Sequence, residues 1–429
     1  MAYLVGGSVR DFLLKRETKD HDIATSATPD ELEKLFPHAV LVGKQFGVIK
    51  IPLTYEESPH AQFLEIATFR KDLEYKDGRH PTGVAWADPV QDAKRRDFTI
   101  NALFYDPKTN RILDCCEGIK DLESKRVRAI GVPADRFKED ALRLLRAVRF
   151  TTALRFTLDE ATAEAAKAKA KLIARISGER IRDELNHMLE GPDPANAFSL
   201  LSELGILDQV LPELSRLRGV KHPAFPSEGD FWKFTLRLLE AVRRQNPVRP
   251  AVLMWAALLS RTGIPTAAKK NAGKSFNGFP QESARISIQI AERLHLSKSE
   301  SELIRKILEE QLNFRGVFQM REATIQRLIR APHFDWQMSL FKADSTITDG
   351  NLAQVEFLKS RFEDYRRNPE AHDLKLISGE DLIELGFSPG PQFSEMMKNV
   401  EDLVLEKKLK TKEEAQSYII EHYAKKGTV

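Results

Sequence analysis

Apolar residues cluster in short β-rich runs along the first third of the chain, then recur at three- and four-residue spacing to its end. The early runs are YLVGG, HDIAT, VLVG, GVIKIPL, FLEIATF, INALFYD and RILDC, each bounded by turn residues, and they predict short strands. Helical patterns lie between some of them. In TPDELEKLF, Thr28 is placed to cap and Pro29 to occupy the first helical position. The polar stretch Lys71 to Ala93, with Gly78, Pro81, Gly83 and Pro89, predicts a long loop. The character changes near Phe137. From there KEDALRLLRAVRF, LDEATAEAAKAKAKLIARI, GERIRDELNHML, ANAFSLLSELG, FWKFTLRLLEAVRR and VLMWAALLSR all predict helices. Breaks fall at EGPDPAN, RLRGVKHPAFPSEGD and GIPTAAKKNAGKSFNGFPQ. The alanine-lysine run at 161–171 predicts one solvated helix face, and no fixed-period repeat is present. The expected fold class is therefore α+β: a small mixed β-sheet head, residues 1–136, followed by an all-α remainder.

Composition narrows the class of protein. At 429 residues, 42% hydrophobic and 30% charged, the chain is expected to be a soluble globular protein of several domains. Its net charge is only +3, from 66 Lys and Arg against 63 Asp and Glu, so any nucleic-acid surface must be local. The two cysteines, Cys115 and Cys116, are adjacent. Neighbours cannot form an ordinary structural disulfide, and no CxxC pair exists to hold zinc, so a reducing cytoplasmic setting is expected. The opening MAYLVGGSVRD lacks a charged n-region followed by an apolar stretch, and no run of 18 apolar residues occurs. Neither a secretory leader nor a membrane span is expected.

The candidate chemistry begins with the second strand-like run, which carries DHD. On a strand, residues i and i+2 face one way, so Asp20 and Asp22 are expected to point together and His21 away. Two carboxylates on one face repel unless a cation joins them, and oxygen-only ligands with open positions suit Mg²⁺. The alternative for a lone DxD is a solvated turn. Just upstream, GGSVRD places glycines after a strand and before a helix start, where backbone approaches a ligand closely and free N–H groups face an anion. A phosphate cradle beside a magnesium pair is what nucleotidyl transfer requires.

GGSVRD with DHDIAT resembles the opening of the class II tRNA nucleotidyltransferase and bacterial poly(A) polymerase family, within the DNA polymerase β superfamily. EIATFRKD (65–72), YKDGRHPTGV (75–84), RRDFTINALFYD (95–106), DCCEGIKDL (114–122), EDALRLLRAVRF (139–150) and GERIRDELNHML (178–189) resemble its further blocks, in the family's order. The resemblance spans residues 3–215. It implies a nucleotidyltransferase head (1–136), a nucleotide-selecting helical neck (137–215), a helical body (216–365) and a helical tail (366–429). It implies Asp20 and Asp22 as catalytic ligands of two Mg²⁺ ions. Glu65 is either a third carboxylate or an edge-strand surface residue. Gly6, Gly7, Ser8, Arg10, Arg96, Asp97, Asn101, Asp140, Arg143 and Arg146 are implied to bind nucleotide, with Asp97 and a neighbouring arginine at the ribose. Arg149 and Arg180 are candidates for further nucleotide or RNA contact.

Asp140 and Arg143 sit i, i+3 and are expected to share one helix face. A carboxylate only accepts hydrogen bonds and a guanidinium only donates. Cytosine and adenine offer a donor beside an acceptor in the matching order; uracil and guanine offer the reverse. The pair therefore suits a protein template for C and A, which the resemblance also implies; an intrahelical salt bridge is the plainer alternative. Addition of C, C and A to tRNA 3′ ends from CTP and ATP, with no membrane partner, is the activity expected. Addition of the terminal A alone, or poly(A) synthesis, are the alternatives. The full-length Lys71–Ala93 segment argues against a CC-only enzyme, and LVGKQFGVIKI (41–51) resembles the CCA-adding form.

Three departures from the family pattern stand out. A block that in many relatives holds HD-type metal ligands carries Phe234, Ser260 and Arg261, while His222 and His295 are isolated. A degenerate HD-like body without hydrolase activity is expected. Cys115, Cys116 and Glu117 replace a more usual Gly-containing hinge, with only Gly118 kept. The chain also opens without the helix that usually precedes YLVGG.

Overall fold

The computed structural model describes residues 1–18, 21–40, 47–53, 62–73, 83–221, 229–248, 250–367 and 376–423. The head is built on a six-stranded mixed sheet. Its strands are β1 (Ala2–Val5), β2 (Asp22–Thr25), β3 (Val48–Leu53), β4 (Gln62–Thr68), β7 (Leu103–Asp106) and β8 (Arg111–Asp114). They lie in the order β3-β4-β2-β1-β7-β8. Only β2 and β4 run parallel; the other neighbours are antiparallel. Helix α1 (Gly7–Leu13) connects β1 to β2.

Strand alternation divides the sheet's side chains. Tyr3, Val5, Ala24 and Phe104 join one cluster with Phe69, Ala93, Ala102 and Ile130. Leu4, Leu103 and Tyr105 face a second cluster with Val9, Phe98, Ile100 and Phe150. Asp22 pairs in register with Val5 on β1 and with Glu65 on β4. Register partners share a face, so both acids stand on the Val5–Ala24 side. Helix α2 (Pro29–Leu35) starts as its sequence predicts: the Thr28 side chain accepts from the Glu31 amide, and the Glu31 carboxylate accepts from Thr28 N–H.

Two expectations are corrected. The expected loop Lys71–Ala93 contains regular structure. Strands β5 (Arg70–Asp72) and β6 (Val84–Trp86) form a hairpin, and α3 (Pro89–Lys94) follows. Asp88 accepts from Gln91 N–H at 2.8 Å and Pro89 takes the first helical position, a start signal hidden inside a Gly- and Pro-rich stretch. Residues 74–82 of that stretch, and residues 41–46 of LVGKQFGVIKI, lie outside the described residues.

The second correction concerns Asp140 and Arg143, which do not share a helix face. Helix α4 (Gly118–Glu123) is followed by α5 (Pro133–Glu139), which stops at Asp140, and α6 (Arg143–Leu154) begins afresh. Asp140 is extended, with φ −141° and ψ 107°, and its carboxylate accepts the Leu142 N–H at 3.0 Å. An aspartate that bonds the backbone two residues on offers the chain an alternative to continuing the helix.

The helices that follow are α7 (Glu160–Lys169), α8 (Gly178–Leu189), α9 (Pro194–Glu203), α10 (Leu207–Val210) and α11 (Pro212–Ser215). One apolar core runs from Phe137 through these helices and on to Ala343. Phe314 to Leu358 form a second core, and Ile377 to Ile419 a third in the tail. Ala147 and Phe150 of α6 enter the head's core, which ties head to neck.

Glu117, in the block expected to form a hinge, adopts a left-handed conformation, φ 61°, a region that favours glycine. Asp114 stabilises it by accepting from the N–H groups of Cys116, Gly118 and Ile119. Gly118 is required here: a Cβ would lie 2.3 Å from the Thr99 carbonyl oxygen. Burial, then the neighbouring Cys115 and Asp114, push the Cys116 thiol up to about 11, so it stays protonated near neutrality.

Arg261, one of the positions expected to have lost an HD-type ligand, is buried. Its guanidinium pairs with Asp344, donates to Gln311 Oε1 at 2.6 Å and stacks 5.2 Å from both the Phe234 and Phe279 ring centres. Ser260 donates to the Ala257 carbonyl, and His222 lies outside the described residues. Among the described residues no helix is long and apolar enough to cross a membrane.

Candidate active site

The first turn of α1 shapes the site. Gly6 has φ 72°, a conformation open to glycine at little cost. A Cβ on Gly6 would lie 3.2 Å from Arg96 Nη1 and 3.8 Å from Asp22 Oδ2. The bend therefore brings a guanidinium and a carboxylate to one point. Asp22 is exposed at the start of β2, and Asp20 lies outside the described residues. Glu65 stands one strand away and is half-exposed, with Lys50 Nζ 3.5 Å from its Oε2. These hard oxygen donors on one sheet face fit a divalent cation that keeps open positions. Among the described residues no group of three or more His, Cys, Asp or Glu side chains gathers to hold a metal.

Arg96 reaches this corner from the residue after α3's C-cap. It stacks on Phe104, 5.1 Å to the ring centre, and is held by Asp92 at 3.2 Å. Burial lowers its pKa from the ordinary value, and the charge of Asp92 opposes that.

The side chains behind the bend form one continuous network. Ser8 Oγ donates to the Val5 carbonyl, and Arg10 donates to Asp11 and, at 2.7 Å, to Asn101 Oδ1. Asn101 Nδ2 donates to Asp97 Oδ1 at 3.1 Å, across a 3₁₀ turn at Thr99–Asn101 rather than an α-helix. Asp97 Oδ2 is gripped by Arg146 at 2.7 Å. Arg146 and Arg149 both approach Glu184 of α8, at 3.8 and 2.7 Å. Arg10, Arg146 and Arg149 all lie over the Phe150 ring, 4.4–5.2 Å from its centre. Phe150 and Glu184 were not foreseen from the sequence. Neither type signals a site alone; an acid buried on a neck helix acquires meaning only once the arginines it faces are known.

Burial alone would raise the Asp97 pKa, but the charge of Arg146, hydrogen bonds from Asn101 and Arg146 and the charge of Arg143 hold it at about 2. Its unfolded value is 3.8, so the network's contribution is complete above about pH 4 and is lost as pH falls through about 2. The difference corresponds to about 2 kcal/mol. Unfolding free energies from urea titrations between pH 6 and 2 are expected to show the wild-type advantage over Asp97→Asn shrinking by about that amount; a constant gap would contradict the assignment.

On the neck side, Asp140 is bound by Arg180 at 3.0 Å. Arg143 is buried and donates to Glu139 at 2.6 Å, to the Arg136 carbonyl at 3.1 Å and to the Arg95 carbonyl at 3.0 Å. Between α1 and the neck opens a cleft of about 580 Å³. Gly7, Ser8, Arg10 and Asp22 line one side, and Arg149, Phe150 and His187 the other. The structure thus gathers Gly6, Gly7, Ser8, Arg10, Asp22, Arg96, Asp97, Asn101, Arg146 and Arg149 at the head–neck seam. Asp140 and Arg143 lie where α5 gives way to α6, and Arg180 reaches Asp140 from α8.

Residues 2–128 match the poly A polymerase head domain family, and residues 155–217 match a family described as the probable RNA- and SrmB-binding site of polymerase A. The chain is 32% identical to a CCA-adding enzyme of Bacillus velezensis over 412 residues, 95% of this chain and 90% of that protein. It is 31% identical to a CCA-adding enzyme of Lactococcus lactis over 421 residues, 96% of this chain and 90% of that one. Among solved structures, a Bacillus stearothermophilus CCA-adding enzyme in complex with CTP superimposes with TM-score 0.71 at 26% identity, over 99% of this chain and 94% of that one.

Proposed function

From the premise that this chain belongs to the class II tRNA nucleotidyltransferase and poly(A) polymerase family, we propose that it adds C, C and A to tRNA 3′ ends from CTP and ATP. The observation that carries nucleotidyl transfer is the meeting of Asp22 Oδ2 and Arg96 Nη1 at the Gly6 bend. The near full-length likeness to enzymes named for CCA addition supports the choice of product over poly(A).

A divalent metal suits this family's chemistry, and we infer two Mg²⁺ ions held by Asp20 and Asp22, with Glu65 as a further oxygen donor. Bound there, the ions supply activation of the RNA 3′-hydroxyl and neutralisation of the leaving pyrophosphate. Arg96 faces the triphosphate across the open Gly6 backbone. Asp97, fixed as an acceptor by Asn101 and Arg146, addresses the ribose. Asp140 and Arg143 present an acceptor and a donor to the base edge. The functional division proposed is a head at 1–136, a nucleotide-selecting neck at 137–215, a degenerate HD-like body at 216–365 and a tail at 366–429.

The test is incubation with tRNA ending before CCA, tRNA ending in CC, and an unrelated RNA, with CTP and ATP supplied singly and together. Labelled CTP is expected to enter the first substrate. Incorporation of adenylate alone would favour the A-adding reading if confined to tRNA ending in CC, and poly(A) synthesis if the unrelated RNA is extended.

A further inference from the structure

The carboxylate that holds Arg96 is itself deeply buried. Asp92 of α3 is 1% exposed. Burying an ionised carboxylate is costly unless donors surround it, and here they do. Oδ1 accepts from Arg95 Nε at 2.8 Å and from the backbone N–H of Arg70, at the root of the β5–β6 hairpin, at 3.2 Å. Oδ2 accepts from Arg96 Nε at 3.3 Å and Nη2 at 3.2 Å. Arg95 Nη2 lies a further 2.7 Å from Oδ1.

The direction of these bonds matters. Arg96 uses Nε and Nη2 on Asp92, which turns Nη1 toward the Gly6 bend and Asp22. A planar guanidinium gripped on one edge is fixed on the other, so holding Nε and Nη2 dictates where Nη1 points. The same carboxylate fixes Arg95, whose carbonyl receives Arg143 at 3.0 Å.

We propose that Asp92 is a positioning residue for the nucleotide: it holds Arg96 so that Nη1, which also reaches the Asn101 carbonyl at 3.5 Å, faces the triphosphate at the glycine bend. The proposal rests on the nucleotidyl-transfer reading. Asp92 touches no substrate itself and acts through Arg96. Its loss therefore weakens nucleotide engagement and leaves RNA binding as it was. In Asp92→Asn, an amide N–H₂ either faces the Arg96 guanidinium or displaces the bond to Arg70 and Arg95, because an amide has one acceptor where the carboxylate has two.

The experiment is steady-state kinetics on the full chain, with tRNA ending in CC and ATP, and with tRNA ending before CCA and CTP. Asp92→Asn is expected to raise KM for both nucleotides roughly tenfold, with KM for tRNA unchanged. In a double-mutant cycle with Arg96→Ala, the two losses are expected to be strongly non-additive, because each removes the same positioned group. A merely structural role gives additive losses that follow thermal stability, and that result overturns the proposal. Asp92→Glu keeps the charge, displaced by one methylene, and is read in the same way if the Asn variant fails to fold. Wild-type nucleotide KM in every folded variant also overturns it. Asp22→Ala run alongside separates the two levels. If Asp22→Ala still adds nucleotides, the reading of the reaction itself fails. If Asp22→Ala is dead and Asp92→Asn behaves as wild type, only the positioning role fails.

Discussion

Asp22→Ala is expected to stop addition of both C and A, lowering kcat by about a thousandfold or more, while the protein keeps its fold. Its side chain is exposed at the mouth of the cleft and contributes nothing to the apolar clusters of the sheet, so its removal leaves the core untouched. The loss falls on chemistry because a carboxylate at this bend is the donor that a hard cation would need beside the triphosphate. Thermal melting and incorporation of labelled CTP and ATP are the paired measurements. Chelation of divalent ions is expected to reproduce the loss in the wild-type protein and to leave the variant's residual rate unchanged. A variant with normal folding and near-normal addition would remove the basis for assigning catalysis to this corner.

Arg143→Ala and Asp140→Ala are expected to blur the choice of base rather than abolish transfer. An unsatisfied buried group costs about 1–3 kcal/mol, so preference for C and A over U and G is expected to fall roughly 5- to 150-fold. The structure sharpens this expectation. Asp140 and Arg143 flank the break between α5 and α6, and each is held by a different partner, Arg180 and Glu139. Two groups braced by separate partners are held in place independently of each other. Arg180→Ala is accordingly expected to show a smaller loss of the same sign, through Asp140. Competition between CTP and UTP, and between ATP and GTP, on one tRNA measures both. Unchanged preference in both template variants would show that another group reads the base.

Much of this was legible in the chain because it depends on neighbours in sequence. The glycine bend after β1, the capped start of α2 at Thr28 and the helices from Gly178 and Phe231 follow from local spacing, capping and turn chemistry. The hidden hairpin and α3 show where local reading fails: Gly and Pro suppress the pattern, and β5 is recognised only once β6 pairs with it. The break at Asp140 failed for a different reason. Helical periodicity persisted across it, and a single side-chain bond to Leu142 N–H decided the backbone.

The sequence alone determined the residue types and their order: acids, glycines and arginines suited to a triphosphate, an RNA end and a metal, on an α+β head followed by helices. Only the tertiary structure decided which arginine serves which acid. Arg10, Arg95, Arg96, Arg143, Arg146, Arg149 and Arg180 are alike as residue types, yet packing sorts them: Arg95 and Arg96 share Asp92, Arg146 and Arg149 share Glu184, Arg143 takes Glu139, Arg180 takes Asp140, and Arg10 reaches Asn101, 91 residues away. The reason is physical. A buried guanidinium must find its acceptors wherever packing brings them, and packing across the head–neck seam is a property of the whole chain rather than of any local run.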